Sequence, residues 1–228
     1  IQYDILASRL RELSFLNAGF VITLTDERGE GRTETFEYQG GIREFVELLN
    51  KNKEPVHEHV VNILAEQIPE KQQLEGGSVP PPSDQPGTPI IVEVALQWNS
   101  SYSEQIFCYT NNIHNRDGGT HLTGFKTALT RVFNNYGTSQ NLFKEVKNGL
   151  TGEDIREGLT AVISVKHPDP SFDSQTKSKL VSSEVKTVVE QIVNDKLSQF
   201  FEENPGTARK IVEKTIMAAK ARDAARKA

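Results

Sequence analysis

Residues Gly152–Val185 read GEDIREGLTAVISVKHPDPSFDSQTKSKLVSSEV, and three kinds of local signal follow one another in them. Thr151, just upstream, and Asp154 have the spacing of a capping box, which opens a short helix. LTAVISVKHP reads as a strand that ends at Pro168. From Ser183 the apolar residues Val185, Val188, Val189, Ile192, Val193, Leu197, Phe200 and Phe201 recur at intervals of three and four, so Ser183–Glu203 is one amphipathic helix. Ser182 or Ser183 can cap it, and Glu184 suits its first turn. Between strand and helix lies DSQTKSKLVSS, which carries an amide and an ammonium two positions apart, at Gln175 and Lys177. In an extended loop, side chains i and i+2 project to the same side. A neutral amide donor beside a point charge with three donors suits a terminal phosphate. On composition and spacing alone, however, a solvated turn accounts for the pair.

Working outward, Asp4–Asn17 place Ile5, Leu6, Leu10, Leu13 and Leu16 at helical spacing, with Gly19 as a stop. Phe20, Ile22 and Leu24 then alternate against Phe36 and Tyr38 across a turn at Gly29–Gly31, the pattern of a hairpin. GGIREFVELLNKN resumes helical spacing through Ile42, Phe45, Val46 and Leu49. Residues 69–89 hold six prolines and three glycines and too little apolar surface to offset the entropy of ordering, so they read as a mobile surface loop. IIVEVALQWN and EQIFCYTNN are β-rich and are expected to pair as neighbours. GGTHLTGFKTALTRVFNNY leads through two glycines into a helix with Leu122, Phe125, Leu129 and Phe133 on its face. Pro205 and Gly206 interrupt the long helix, and a basic, alanine-rich helix follows. Helices and strands alternate only partly, which predicts an α+β sandwich with a four- or five-stranded sheet.

The chemistry this composition supports is narrow. A chain beginning at Ile1 reads as a piece of a longer protein. No window approaches the roughly 18 uncharged apolar residues a membrane span needs. Cys108 is the single cysteine, which fits a reducing cytoplasm and a small apolar residue within a strand. Of the five histidines only His57 and His59 are close together, with no carboxylate array beside them to complete a metal site. Glu153 and Asp154 open a helix and need no catalytic explanation. There is no phosphate-binding glycine loop and no set of nucleophile, base and orienting group. The net charge of −5 argues against a surface-wide nucleic-acid footprint, yet residues 206–228 hold seven basic residues against two acidic ones. A solvated helix face explains that excess without a ligand.

Taken together, RLRELSFLNAG, the TNNI…RDGGTHLTGF segment and above all GEDIREGLTAVISVKHPDPSFDSQTKSKLVSSEV resemble, in order, the second domain of the B subunit of bacterial DNA gyrase and of its topoisomerase IV relative. The resemblance covers nearly all of the chain except the Pro-rich segment. It implies a transducer domain with a ribosomal protein S5 domain 2-like fold, including a left-handed βαβ crossover, an exception to the usual hand. It implies a transducer domain over residues 1–204 and a basic helix over 205–228. An ATP-binding domain would lie before Ile1 and a metal-binding, DNA-cleaving domain after Ala228. ATP and Mg²⁺ would serve the full-length protein and neither would be bound by this fragment alone, which is expected to be catalytically inactive. Further partners would be a gyrase A-type subunit, duplex DNA and a second copy of the B-type chain, in the cytoplasm.

The resemblance also assigns residues. It implies that Gln175 and Lys177 reach the nucleotide site of the preceding domain and touch the γ-phosphate. A hydrogen bond to a charged group is worth about 1.5–3 kcal/mol, or roughly tenfold to more than a hundredfold in preference for the ATP-bound arrangement. It places Lys126 in the cavity that admits the transported DNA segment. Arg222 and Arg226, on the basic terminal helix, are the other DNA-facing candidates, with a solvated face as the open alternative. Two features depart from the family: residues 69–89 are longer than the short link expected there, and Glu153 stands where Asp is more frequent. The competing reading is a free-standing S5-like nucleic-acid-binding module without ATP coupling, whose mark would be steep salt dependence of duplex binding. The equivalent domain of a chaperone or mismatch-repair ATPase does not account for REGL…QTKSKLVSSEV in register.

Overall fold

The computed structural model describes residues 2–69, 87–146 and 149–227, so the Pro-rich expectation for 69–89 falls almost wholly outside the described residues. Helix α1 (Tyr3–Leu16) ends before Gly19, whose φ of 80° turns the chain into β1 (Val21–Asp26). That strand pairs with β2 (Arg32–Glu37), Ile22 opposite Phe36, as a two-stranded sheet of its own. Helix α2 (Ile42–Leu49) follows.

The main sheet has five strands: β3 (Val61–Gln67), β4 (Ile90–Trp98), β5 (Gln105–Thr110), β6 (Ile113–His114) and β7 (Leu159–Lys166), in the order β3-β4-β7-β5-β6. Two expectations change here. β4 and β5 are not neighbours, because β7 inserts between them, antiparallel to β4 and parallel to β5. Burial agrees with the central place: Leu159–Val165 are buried on both faces, as expected of a middle strand with helices packed on each side of the sheet. β3 is additional to the strands expected from composition; Val61 and Ile63 are buried while Leu64 faces out at 62% exposure, as befits an edge strand.

The parallel pairing of β5 and β7 requires a crossover, supplied by α3 (Thr120–Ser139) and α4 (Gly152–Arg156). α5 (Ser183–Glu203) has the bounds that the periodicity predicts. It packs closely on α3: a Cβ at Gly124 would lie 2.4 Å from the Lys186 carbonyl oxygen, so only glycine fits there. Alternation along the strands sends Val92, Val94, Leu96, Trp98, Cys108, Ala161, Ile163 and Val165 to the face covered by α3 and α5. Ala95, Tyr109 and Val162 point to the other face, under Phe15 and Leu16 of α1 and Ile42, Phe45 and Val46 of α2. The result is a layered α+β architecture with a core on each side of the sheet.

Helix α6 (Pro205–Lys227) is more than a solvated basic surface. Ala208, Ile211, Val212 and Ala219 are fully buried in the α3/α5 core, so only part of the helix's charge faces water.

Candidate functional site

The segment after β7 is not an extended strap. Ser171 and Val181, Phe172 and Leu180, and Asp173 and Lys179 pair as the two sides of a narrow hairpin. Its tip is a turn closed by the Lys177 N–H, which donates to the Ser174 carbonyl over 3.0 Å. Ser174 and Thr176 hydroxyls lie 2.8 Å apart within it. The i and i+2 spacing argued for Gln175 and Lys177 therefore does not apply, because a turn rather than extended backbone joins them. Both side chains are nevertheless exposed, at the second and fourth residues of the turn. Lys177 has a φ of 55°, the left-handed region that non-glycine residues rarely occupy. Its ammonium sits 5.8 Å from the centroid of the Phe172 ring, a weak contact at an exposed site.

The two glycines ahead of α3 explain how so polar a loop is held. Thr120 N–H donates to the Leu180 carbonyl and Leu180 N–H to the Gly118 carbonyl, each over 3.0 Å. Asp117 N–H donates to the Ser178 carbonyl over 2.9 Å. Gly119, at φ 135°, passes so near that a Cβ there would lie 2.2 Å from the Leu180 oxygen. The serines behave differently from expectation. Ser182 occupies the N-cap position of α5 but makes no side-chain cap bond; its hydroxyl accepts instead from Ser171 N–H over 2.8 Å, spending its acceptor on the hairpin. Glu184 in the first turn of α5 meets His167 Nε2 at 2.7 Å.

A residue that sequence reading missed completes the support. Asn115, 2% exposed, donates from Nδ2 to the Lys177 carbonyl over 2.7 Å. Its Oδ1 accepts from the Thr110 hydroxyl at 2.7 Å and lies 3.0 Å from His121 Nε2. His121 Nδ1 accepts from Leu122 N–H, so Nε2 carries the proton and donates to Asn115. Burial pushes the His121 pKa down to about 4, which keeps the ring neutral. The RDGG sequence marks the turn but contains nothing that announces Asn115 as its anchor.

The DNA-facing candidates separate. Lys126 on α3 shares a groove with Arg131 and Arg156, but Glu104 lies 3.7 Å from Lys126 and 3.0 Å from Arg156, and Glu190 lies 2.6 Å from Arg131. Arg226 is exposed on α6. Arg222 is turned inward: its guanidinium donates to Asp154 and, over 2.9 Å, to the Thr151 hydroxyl. Thr151 and Asp154 form the expected capping box of α4, so Arg222 serves the start of that helix.

Other candidates are structural. Burial raises the Cys108 thiol to about 12, so it is neutral and unreactive. His57 Nε2 accepts from Trp98 N–H over 3.1 Å while Nδ1 donates to the His59 carbonyl over 2.9 Å. Among the described residues no group of three or more His, Cys, Asp or Glu side chains is placed to hold a metal. Nor is any described helix long and apolar enough to cross a membrane.

Comparison with known proteins supports the gyrase B family and does not single out its second domain. The family model described as DNA gyrase B matches residues 41–228. The chain is 46% identical over 227 residues to a DNA gyrase B protein of Bacillus mycoides, covering 100% of this chain and 51% of that protein. It is 49% identical over 228 residues to the DNA gyrase B protein of Staphylococcus aureus, covering 99% of this chain and 32% of that protein. The chain thus spans about half of the first of these relatives and about a third of the second. Among solved structures it superposes with a TM-score of 0.80 and 36% identity on the 43K ATPase domain of Thermus thermophilus gyrase B, covering 100% of this chain and 56% of that one. The topoisomerase IV ATP-binding domain of Francisella tularensis, at 24% identity and a TM-score of 0.73, shares the fold.

Proposed function

The chain belongs to the DNA gyrase B family, and on that premise we propose that it is the transducer segment of an ATP-dependent type IIA DNA topoisomerase. In this reading it has the S5 domain 2-like fold over residues 1–204, with 205–228 as the helix leading to a DNA-cleaving domain. It corresponds to a part of the Thermus relative, since the match takes in 56% of that 43K ATPase-domain chain. The observation that carries the proposal is the loop tip. Gln175 and Lys177 are exposed on a turn that hydrogen bonds fix to the N-terminal end of α3, so an amide and an ammonium are presented by a rigid base.

The chain's own part in the chemistry is binding and sensing. Gln175 offers an amide N–H and Lys177 an ammonium, both free to donate to the oxygens of a γ-phosphate held by a preceding ATP-binding domain. ATP, with Mg²⁺, would supply the reaction there, and the residues described here would report its phosphate state by engaging or releasing the loop. The gyrase A-type subunit, duplex DNA, a second copy of the B-type chain and a cytoplasmic setting complete the proposal. Lys126 and Arg226 are its DNA-facing residues. Arg222 is given a structural role instead.

The test is Lys177→Ala in the full-length protein reconstituted with its partner. ATP turnover and ATP-driven supercoiling should fall roughly tenfold to a hundredfold, the range of one charged hydrogen bond. Unchanged turnover and supercoiling would remove the loop from the mechanism. Steeply salt-dependent duplex binding by the isolated chain would instead favour a nucleic-acid-binding module; the net charge of −5 weighs against that outcome.

A further inference from the structure

We propose that Asn115 is a positioning residue for Lys177, fixing by its side-chain amide the direction in which the ammonium leaves the loop. The inference rests on the reading of Lys177 as a phosphate contact and names the residue that regulates its reach. The turn Ser174–Lys177 is exposed on every residue, and a lone turn of this kind samples many conformations. Lys177 in particular holds a left-handed backbone that a lysine avoids when nothing opposes it. The group that opposes it here is Asn115 Nδ2, donating to the Lys177 carbonyl over 2.7 Å across 62 residues of sequence.

Asn115 has no freedom of its own. Its backbone N–H donates to the Cys108 carbonyl on β5 over 2.8 Å. Its Oδ1 faces two donors, the Thr110 hydroxyl and His121 Nε2, so the amide cannot flip without opposing donor to donor. The loop tip is therefore tied through one amide to the end of β5 and the first turn of α3. A displacement of Lys177 on meeting or losing a phosphate must either break this bond or move Asn115 with it, and the second reaches β5.

The experiment is a double-mutant cycle on ATP turnover by the full-length protein. Asn115→Asp keeps the size and the Oδ1 acceptor but sets a second acceptor against the Lys177 carbonyl. Asn115→Ala removes the amide without adding a charge, and carries the test if the aspartate prevents folding. Each is made with Lys177 present and with Lys177→Ala. The expected result is a fall in kcat of about tenfold, the upper range for one neutral hydrogen bond, with Lys177 present, and no further fall in the Lys177→Ala background. An equal fall in both backgrounds would show that Asn115 acts on the fold alone and would overturn the inference. So would unchanged kcat with Lys177 present. If Lys177→Ala itself leaves turnover unchanged, the proposed function fails first and this inference with it; if Lys177→Ala lowers turnover and Asn115 variants do not, only this inference fails.

Discussion

Arg222, near the C-terminal end of α6, closes over Asp154 in the first turn of α4, and the Asp154 side chain is only 4% exposed there. The same carboxylate completes the capping box with Thr151, so a single buried group joins two helices through residues 68 positions apart in sequence. Removing the cation would leave that charge without its partner. Arg222→Ala should lower the unfolding free energy by about 2–3 kcal/mol, discounted from the cost of breaking a fully buried pair because Arg222 keeps some contact with water. Urea denaturation measures it. A loss of DNA affinity with no loss of stability would return Arg222 to the nucleic-acid surface.

Gly119 should be the least tolerant position of the loop's support. Gly119→Ala would need a backbone of φ 135° and a Cβ 2.2 Å from the Leu180 oxygen. Backbone strain alone costs on the order of 1–3 kcal/mol, and the clash adds to it, so a loss above roughly 3 kcal/mol is expected. Hydrogen exchange at the Leu180 and Thr120 amides should rise by a larger factor than exchange in β7. Equal loosening in both places would mean that the substitution acts on the whole fold.

His121 makes stability depend on pH in one direction. Its folded pKa of about 4 lies below the ordinary 6.5, so the unfolded chain binds the proton more tightly. Its contribution is fully present above pH 6.5 and is lost as pH falls from there toward 4, roughly 3 kcal/mol across the window. His57, also depressed by burial, acts in the same direction. Denaturation midpoints measured between pH 7 and pH 4 should fall, and His121→Gln should flatten the slope. A slope unchanged in that variant would assign the pH dependence to other groups.

The parts of the molecule that are legible in the sequence are those whose causes are local. The bounds of α5 follow from three- and four-residue spacing, and the Thr151–Asp154 box from a signal three residues long. What escapes is decided at a distance. β4 and β5 carry equally good strand composition, and nothing in either says that β7, which begins only at Leu159, will part them. Asn115 looks like one more polar residue of a turn until the chain returns to place the Lys177 carbonyl against it. Ser182 departs from its expected role for a related reason: its cap position is local, but its hydroxyl is claimed by Ser171 across the hairpin. Gln175 and Lys177 stand out by resemblance, while the turn that presents them does not follow from their spacing.

The unbroken run of α5 fixes a scale of movement. Its 21 residues make a rod about 31 Å long. One end begins just after Leu180 and Ser182 at the base of the hairpin, and the other stops at Asn204, beside Pro205, where α6 sets off. A rotation of about 10° at the hairpin end would carry the far end through about 5 Å, close to one helical turn. Because α3, α5 and α6 share one core, such a step requires the three helices to move together against the sheet.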